Sequence, residues 1–235
     1  MSTLLSGLLP GEELVDVAHV PDGARLRLVR KGSNFTILLD DNELMNSYNY
    51  ASEEALATMT CERLGPRADL QMLVGGYGMG FTLRAALATL GHDAAVTVSE
   101  ILPEILDWAA GPMRVQTAGC LDDPRTSIVH EDVAVLIAGA RRAYDAILLD
   151  VDNGPEGLTR QVNDWLYSRS GLEAAMSALR PKGILAIWSA TPDASFAALL
   201  SEIGFSVAVV PVPASPIRLE DSGEIEHVVI FAQLR

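Results

Sequence analysis

From about residue 70 onward, short apolar runs alternate with segments whose apolar positions recur at helical spacing. Runs at 71–75, 96–100, 127–130, 145–150, 183–188, 205–211 and 226–233 predict strands, and the segments near 80–90, 102–110, 132–140, 170–180 and 193–203 predict helices. Ala146-Ile147-Leu148-Leu149 is apolar at every position, which suits a strand buried on both faces of a parallel sheet. Successive right-handed βαβ units then wind a sheet with helices on both faces. Between the last two runs no helical segment intervenes, only a loop holding Pro211, Pro213 and Pro216. Those two strands are therefore expected to pair antiparallel and close the sheet.

The first fifty residues read differently. Residues 13–20 and 24–30 flank Pro21-Asp22-Gly23, a turn signal, and 34–40 adds a third strand. Strand pieces this small need a surface to cover. The expectation is a small N-terminal β-element over residues 1–51, packed on the main domain or on a second subunit, with a homodimer following in the latter case. Residues 52–235 form the larger domain. It should begin with a helix over Ser52–Arg63, with Ser52 as N-cap, Glu53 and Glu54 in the first turn, and a buried stripe of Ala55, Leu56, Met59 and Leu64.

The candidate chemistry sits between Leu70 and Glu100. A strand runs into Gly75, Gly76, Gly78 and Gly80, a helix follows, and a second strand ends on Glu100. Glycines allow a sharp turn and a close approach of backbone to ligand, and the helix N-terminus offers unpaired N–H groups. An acid at the tip of the second strand is placed to accept from both ribose hydroxyls. This points to a nucleoside cofactor held by Gly76, Gly78, Gly80 and Glu100. Asp132, past the third strand, caps the next helix or contacts an adenine amine, two compatible roles. Asp150 ends a buried strand, where a carboxylate is poorly solvated unless it faces a pocket. With the closing antiparallel pair, the fold expected is Rossmann-like, α/β, a doubly wound and mostly parallel seven-stranded sheet of the class I methyltransferase type.

Composition narrows the field. Of 235 residues 49% are hydrophobic, enough for a large core, and no apolar run approaches the roughly 20 residues that span a bilayer. No membrane association is expected, and the absence of a signal-like N-terminus leads to a cytoplasmic assignment. A net charge of −14 repels a phosphate backbone, so no nucleic-acid partner is expected; the partner is a small-molecule substrate. Cys61 and Cys120 suggest neither a disulfide framework nor zinc spacing, and the scattered histidines lead to the expectation of no metal.

The glycine loop followed by TLR, the acid after the second strand, YDAILLDVDNGPEG, LEAAMSALRPKGILAIWSA and the hairpin RLVRKGSNFTILLDDNEL together resemble the spermidine/spermine synthases. The resemblance covers most of the chain. It implies an N-terminal β-element before a Rossmann-like domain that binds decarboxylated S-adenosylmethionine, and aminopropyl transfer to a polyamine. It also implies a homodimer, since relatives associate, and Asp150 as the base on the attacking amine. Several positions depart from the family's pattern. The loop, GGGDGG in the family, aligns here so that Met79 stands at the aspartate that helps hold the aminopropyl amine. Asn153 replaces the second acid of the strand-four motif, and the family's tyrosine-histidine-glutamate reads Ser52, Glu53 and Glu54. No glutamine follows the hairpin, only Leu44 and Met45.

Each lost contact to an ammonium removes about 1.5–3 kcal/mol of charge-assisted bonding. A methionine at 79 also removes a repulsion against the carboxylate of full S-adenosylmethionine. Methyl transfer from S-adenosylmethionine to a small molecule is therefore the leading expectation, with Met79 and Asp150 among the cofactor contacts and Asp150 as base. Aminopropyl transfer is the alternative, and a catalytically silent adenosyl-ligand-binding protein the third. Substrate contacts are expected from Tyr48, Tyr50, Asp152 and Asn153, with Glu43, Glu53 and Glu54 as stand-ins for the missing acids.

Overall fold

The computed structural model describes residues 8–20, 25–40, 42–151, 164–216 and 226–234. The N-terminal strands β1 (Glu13–His19), β2 (Arg25–Lys31), β3 (Asn34–Leu39) and β4 (Asn42–Asn46) form an antiparallel sheet in that order. The fourth strand escaped the sequence pattern: Asn42-Glu43-Leu44-Met45-Asn46 has neither β-branched residues nor alternation, and it pairs with β3 through an irregularity between Ile37 and Leu38. One face of this sheet is covered by the main body. Leu28 and Ile37 are fully buried in a cluster shared with Ile105, Trp108 and Met113. Trp108 Nε1 donates to Asp16 Oδ2 at 2.8 Å, and Gln116 Nε2 to the Ser33 carbonyl at 2.9 Å, which fix the sheet's position.

Helix α1 (Ala51–Leu64) leads into the large sheet, whose strands are β5 (Gln71–Gly75), β6 (Ala95–Ser99), β7 (Thr126–Val129), β8 (Tyr144–Leu149), β9 (Leu179–Ser189), β10 (Ser206–Pro213) and β11 (Glu226–Gln233). Their order is β10-β11-β9-β8-β5-β6-β7. Pairing is parallel from β7 to β9 and antiparallel for β9–β11 and β11–β10, so the proline-containing strand closes the sheet as a hairpin partner. The expected seven-stranded, mostly parallel fold is the one observed. Connecting helices are α2 (Phe81–Thr89), α3 (Pro103–Ala110), α4 (Arg114–Thr117), α5 (Val133–Gly139), α6 (Asp164–Tyr167), α7 (Arg169–Ala178) and α8 (Ala194–Ile203). The four-residue helices α4 and α6 are too short to carry a readable period.

Helix α1 departs from expectation in its register. Its N-cap is Tyr50, without a side-chain cap bond, and Ser52 lies inside the first turn. The buried face is Ser52, Leu56, Ala57, Thr60, Cys61 and Leu64, rotated from the purely apolar stripe so that two hydroxyls point inward. The Thr60 hydroxyl is satisfied by the Leu56 carbonyl at 2.6 Å. Ser52 is satisfied by more distant partners, described below.

At the opposite end of the sheet from the glycines, buried Asp145 accepts from Arg67 Nη1 (2.9 Å), Arg180 Nη1 (2.8 Å) and the Gln71 backbone N–H (2.9 Å). These bonds tie α1's exit, β5, β8 and β9 together. Asp145→Ala leaves two guanidinium groups without their carboxylate and a strand N–H without its acceptor. Because both arginines keep some solvent, the loss is expected near the lower bound for a broken buried pair, about 3 kcal/mol, measured as urea unfolding at pH 7.

Candidate functional site

The chain leaves β5 for β6 and β7 on one side and returns to β8 on the other, so the strand order reverses between β5 and β8. Ligands bind at the carboxyl ends of the strands at such a switch point. Here those ends are Gly75-Gly76 and Asp150. Gly76 has φ +84°, and a Cβ there would come within 2.7 Å of the Asp150 carbonyl; Gly78 and Gly80 also have positive φ. At Gly80 a Cβ would lie 2.6 Å from Tyr77 Oη, so the loop folds tightly over the start of α2.

Two cavities meet at this point. The smaller, about 150 Å³, is bordered by Gly76, Gly78, Glu100, Asp132, Asp150 and Leu44, among others. Glu100 is nearly buried; its carboxylate accepts from Tyr77 N and Leu102 N, each at 2.9 Å. Burial raises the Glu100 carboxyl above its ordinary pKa, opposed by backbone N–H groups that favour the anion. Asp132 caps α5, accepting from Ala134 N at 2.8 Å through one oxygen, and also borders the cavity, so both of its expected roles remain compatible. This edge of the site fits an adenosyl group: glycines clear the backbone, and two acids face the space beyond β6 and β7.

The larger cavity, about 340 Å³, is bordered by Glu43, Met45, Glu53, Asp150, Trp188 and His227, together with Tyr77, Gly78, Met79 and Phe81. Leu44, Met45, Gly78 and Asp150 border both cavities, which places Asp150 at their junction. Thr82 Oγ1 donates to Asp150 Oδ2 at 2.7 Å. Burial pushes Asp150 up to about 6, against that bond. Burial and then the nearby Asp150 charge push Glu53 up to about 8. The two titrate as a coupled pair in which Asp150, the lower of the two, ionises first. At neutral pH the pair therefore holds one proton, mainly on Glu53.

Several expected site residues take other places. Tyr48 is exposed and borders a groove on the N-terminal sheet with Thr36 and Glu43, and it lines neither cavity. Tyr50 stacks on Phe81 with ring centroids 4.7 Å apart and borders neither cavity, whereas Asn49 between the two tyrosines borders the larger one. Glu54 points away and pairs with Arg84 at 2.7 Å. Gly80 acts as the N-cap of α2 rather than as cavity wall. Met79 is 3% exposed, packed in the main core, with part of its surface on the larger cavity. Asp152 and Asn153 lie outside the described residues. Residues not anticipated at the site include Met45, Asn46, Ala190, Ala214 and His227. His227 lies 175 positions from the Ser52 it contacts, a pairing that only the antiparallel closure of β11 on β9 creates.

Among the described residues no group of His, Cys, Asp and Glu could hold a metal, and no helix is long and apolar enough to cross a membrane.

No protein-family model matches the chain. Polyamine aminopropyltransferase 2 of Pseudomonas aeruginosa is 31% identical over 120 residues, which is 49% of this chain and 32% of that protein. Polyamine aminopropyltransferase 1 of Streptomyces coelicolor is 28% identical over 132 residues, 54% of this chain and 23% of that protein. The matched region thus spans a quarter to a third of these curated relatives. A crystal structure of spermidine synthase from Thermotoga maritima superposes with a TM-score of 0.72 at 17% identity, covering 94% of this chain and 72% of that one. A spermidine synthase in complex with the transition-state analogue AdoDATO gives 0.72 at 18% identity with the same coverage. Over about half its length the chain is thus similar in sequence to polyamine aminopropyltransferases, and over most of its length it has the fold of the spermidine synthases.

Proposed function

We propose that the chain transfers an aminopropyl group from decarboxylated S-adenosylmethionine to an amine acceptor bound in the larger cavity. The observation that carries this reading is the acidic wall of Glu43, Glu53 and Asp150, with no lysine or arginine among the described residues that line it. A donor carboxylate there would face other carboxylates in a low-dielectric space without a cation. An ammonium, by contrast, would satisfy them. The expectation of methyl transfer is therefore set aside: it rested on the missing amine-binding residues, whose place the acids of this wall can take, and on Met79 relieving a repulsion that Asp150 reinstates. The relatives are named for aminopropyl transfer, and none of those cited is named for methyl transfer.

In this reading Glu100 takes the ribose diol and Asp132 the base, while Gly76 and Gly78 keep the backbone clear of the donor. The donor's sulfonium makes the attached carbon open to displacement by an amine. Asp150, ionised at neutral pH, accepts a proton from the acceptor amine and turns its lone pair toward the donor side. Glu53 and Glu43 hold positive charge on the acceptor, and Trp188 gives its methylenes an aromatic wall. The N-terminal sheet takes part as well as covers, since β4 carries Leu44 and Met45 to the junction and Glu43 to the larger cavity.

Calorimetric titration with the two donors tests this. The decarboxylated form is expected to bind at least about tenfold tighter than S-adenosylmethionine, the equivalent of about 1.4 kcal/mol. With a diamine it should release methylthioadenosine. Tighter binding of S-adenosylmethionine would reject aminopropyl transfer and return methyl acceptors to consideration.

A further inference from the structure

Behind the acidic wall runs a hydrogen-bonded chain that the reading above leaves unused. Ser52 Oγ lies 2.6 Å from Glu53 Oε2 and 2.9 Å from His227 Nδ1, and Ser52 is fully buried. His227 is held in turn by Trp188, whose ring meets it edge-on at 4.7 Å and 75°. A hydroxyl has one proton to donate, so Ser52 cannot donate to both partners at once. No solvent reaches it to make up the difference. Accepting from both would leave the buried Ser52 proton without an acceptor, so the two bonds point the same way along the chain.

Two arrangements satisfy this. In the first, Glu53 is a neutral acid donating to Ser52, Ser52 donates to His227 Nδ1, and the imidazole carries its proton on Nε2. In the second, Glu53 is a carboxylate accepting from Ser52, and Ser52 accepts from a protonated His227 Nδ1. Passing from first to second removes one proton overall: Glu53 gives its proton to Ser52, Ser52 gives its own to Nδ1, and Nε2 releases one. We infer that His227 is a positioning residue which, through Ser52, couples the proton state of Glu53 to its own tautomer. A proton leaving the buried acid then emerges at the imidazole, on the cavity wall.

The charged and titratable groups around this chain are few. Asp150 faces Glu53 from the end of β8 and is itself bonded by Thr82 of α2. Glu54 on α1 is occupied by Arg84, and Glu43 of β4 borders the same cavity. Burial lowers the His227 pKa and raises that of Glu53, so the shared proton rests on Glu53 and an imidazolium is disfavoured near neutrality. The inference rests on the proposed aminopropyl transfer only for its purpose, since an acceptor that enters as ammonium must shed a proton beside Glu53.

The test needs neither donor nor acceptor, so it stands or fails separately from the donor titration. The intact protein, labelled with 15N-histidine, is followed by NMR from pH 5 to 9, with His227→Phe identifying the resonance. An ordinary imidazole nitrogen loses its proton as pH rises. Here Nδ1 is expected to gain one as Glu53 ionises near pH 8, and the step should vanish in Ser52→Ala and in Glu53→Gln. Should a variant misfold, the inverse step of the unsubstituted protein decides alone. A single conventional titration of Nδ1, with no gain of a proton on the alkaline side, would overturn the inference.

Discussion

Asp150→Asn is expected to lower turnover about a thousandfold while changing the affinity for the decarboxylated donor less than about threefold. The substitution is isosteric, and the amide oxygen keeps the bond from Thr82 Oγ1 that holds the side chain at 2.7 Å. The backbone carbonyl against which Gly76 packs is untouched. What disappears is the only group among the described residues at the junction of both cavities that is ionised at neutral pH and able to take a proton. A second consequence follows from the pairing. With the Asp150 charge gone, Glu53 loses one cause of its raised pKa and ionises at lower pH, although burial, the larger cause, still holds it above the ordinary value. Initial rates of methylthioadenosine release, read beside calorimetric donor titration, check both parts. Turnover within tenfold of the unsubstituted chain would remove Asp150 as base; a collapse of donor affinity would make it a donor ligand instead.

What could be read in advance was whatever is encoded locally. The glycine loop, the acids at strand ends and the proline-bearing hairpin are each set by a few consecutive residues, and the fold places them as expected. The acceptor side is different, because it is assembled from β4, α1, β9 and β11, far apart in sequence. Glu53 was visible only as a stand-in for a missing acid; its pairing with Asp150 and its link to His227 arise from tertiary packing. The loop before α1 misled for a similar reason. Tyr48, Asn49 and Tyr50 are consecutive, and aromatic character favoured the tyrosines, but the local turn sends one outward, seats the other on Phe81 and leaves the asparagine on the cavity. Likewise an amphipathic count assigned α1 an apolar stripe, while the helix buries Ser52 because His227 and Glu53 satisfy its hydroxyl.

That arrangement makes Glu53→Gln a change with opposite effects on stability and binding. Glu53's pKa in the folded chain is raised, from 4.5 to about 8, chiefly by burial. A group with a raised folded-state pKa contributes stability that is complete below its unfolded value and is lost as pH rises through the folded value. For Glu53 the window runs from about pH 4.5 to 8, and at about 1.4 kcal/mol per unit the loss is on the order of 5 kcal/mol. Asp150 adds a loss of the same sign over the lower window, from 3.8 to about 6. The unliganded protein should therefore be distinctly less stable at pH 9 than at pH 5. Glutamine cannot ionise, so the variant is expected to keep most of the low-pH stability and to exceed the parent at pH 9 by several kcal/mol in urea unfolding. The same change removes a charge that an acceptor ammonium would meet, so diamine affinity should fall about tenfold to a hundredfold, the range set by one charge-assisted bond of about 1.5–3 kcal/mol. The free site thus carries a carboxylate pair whose second ionisation is unfavourable until a cation arrives to relieve it. Parent and variant with identical pH dependence of unfolding would show that Glu53 does not titrate across this window. Unchanged diamine affinity in a correctly folded variant would place the acceptor's positive charge elsewhere, with Glu43 the next residue to replace.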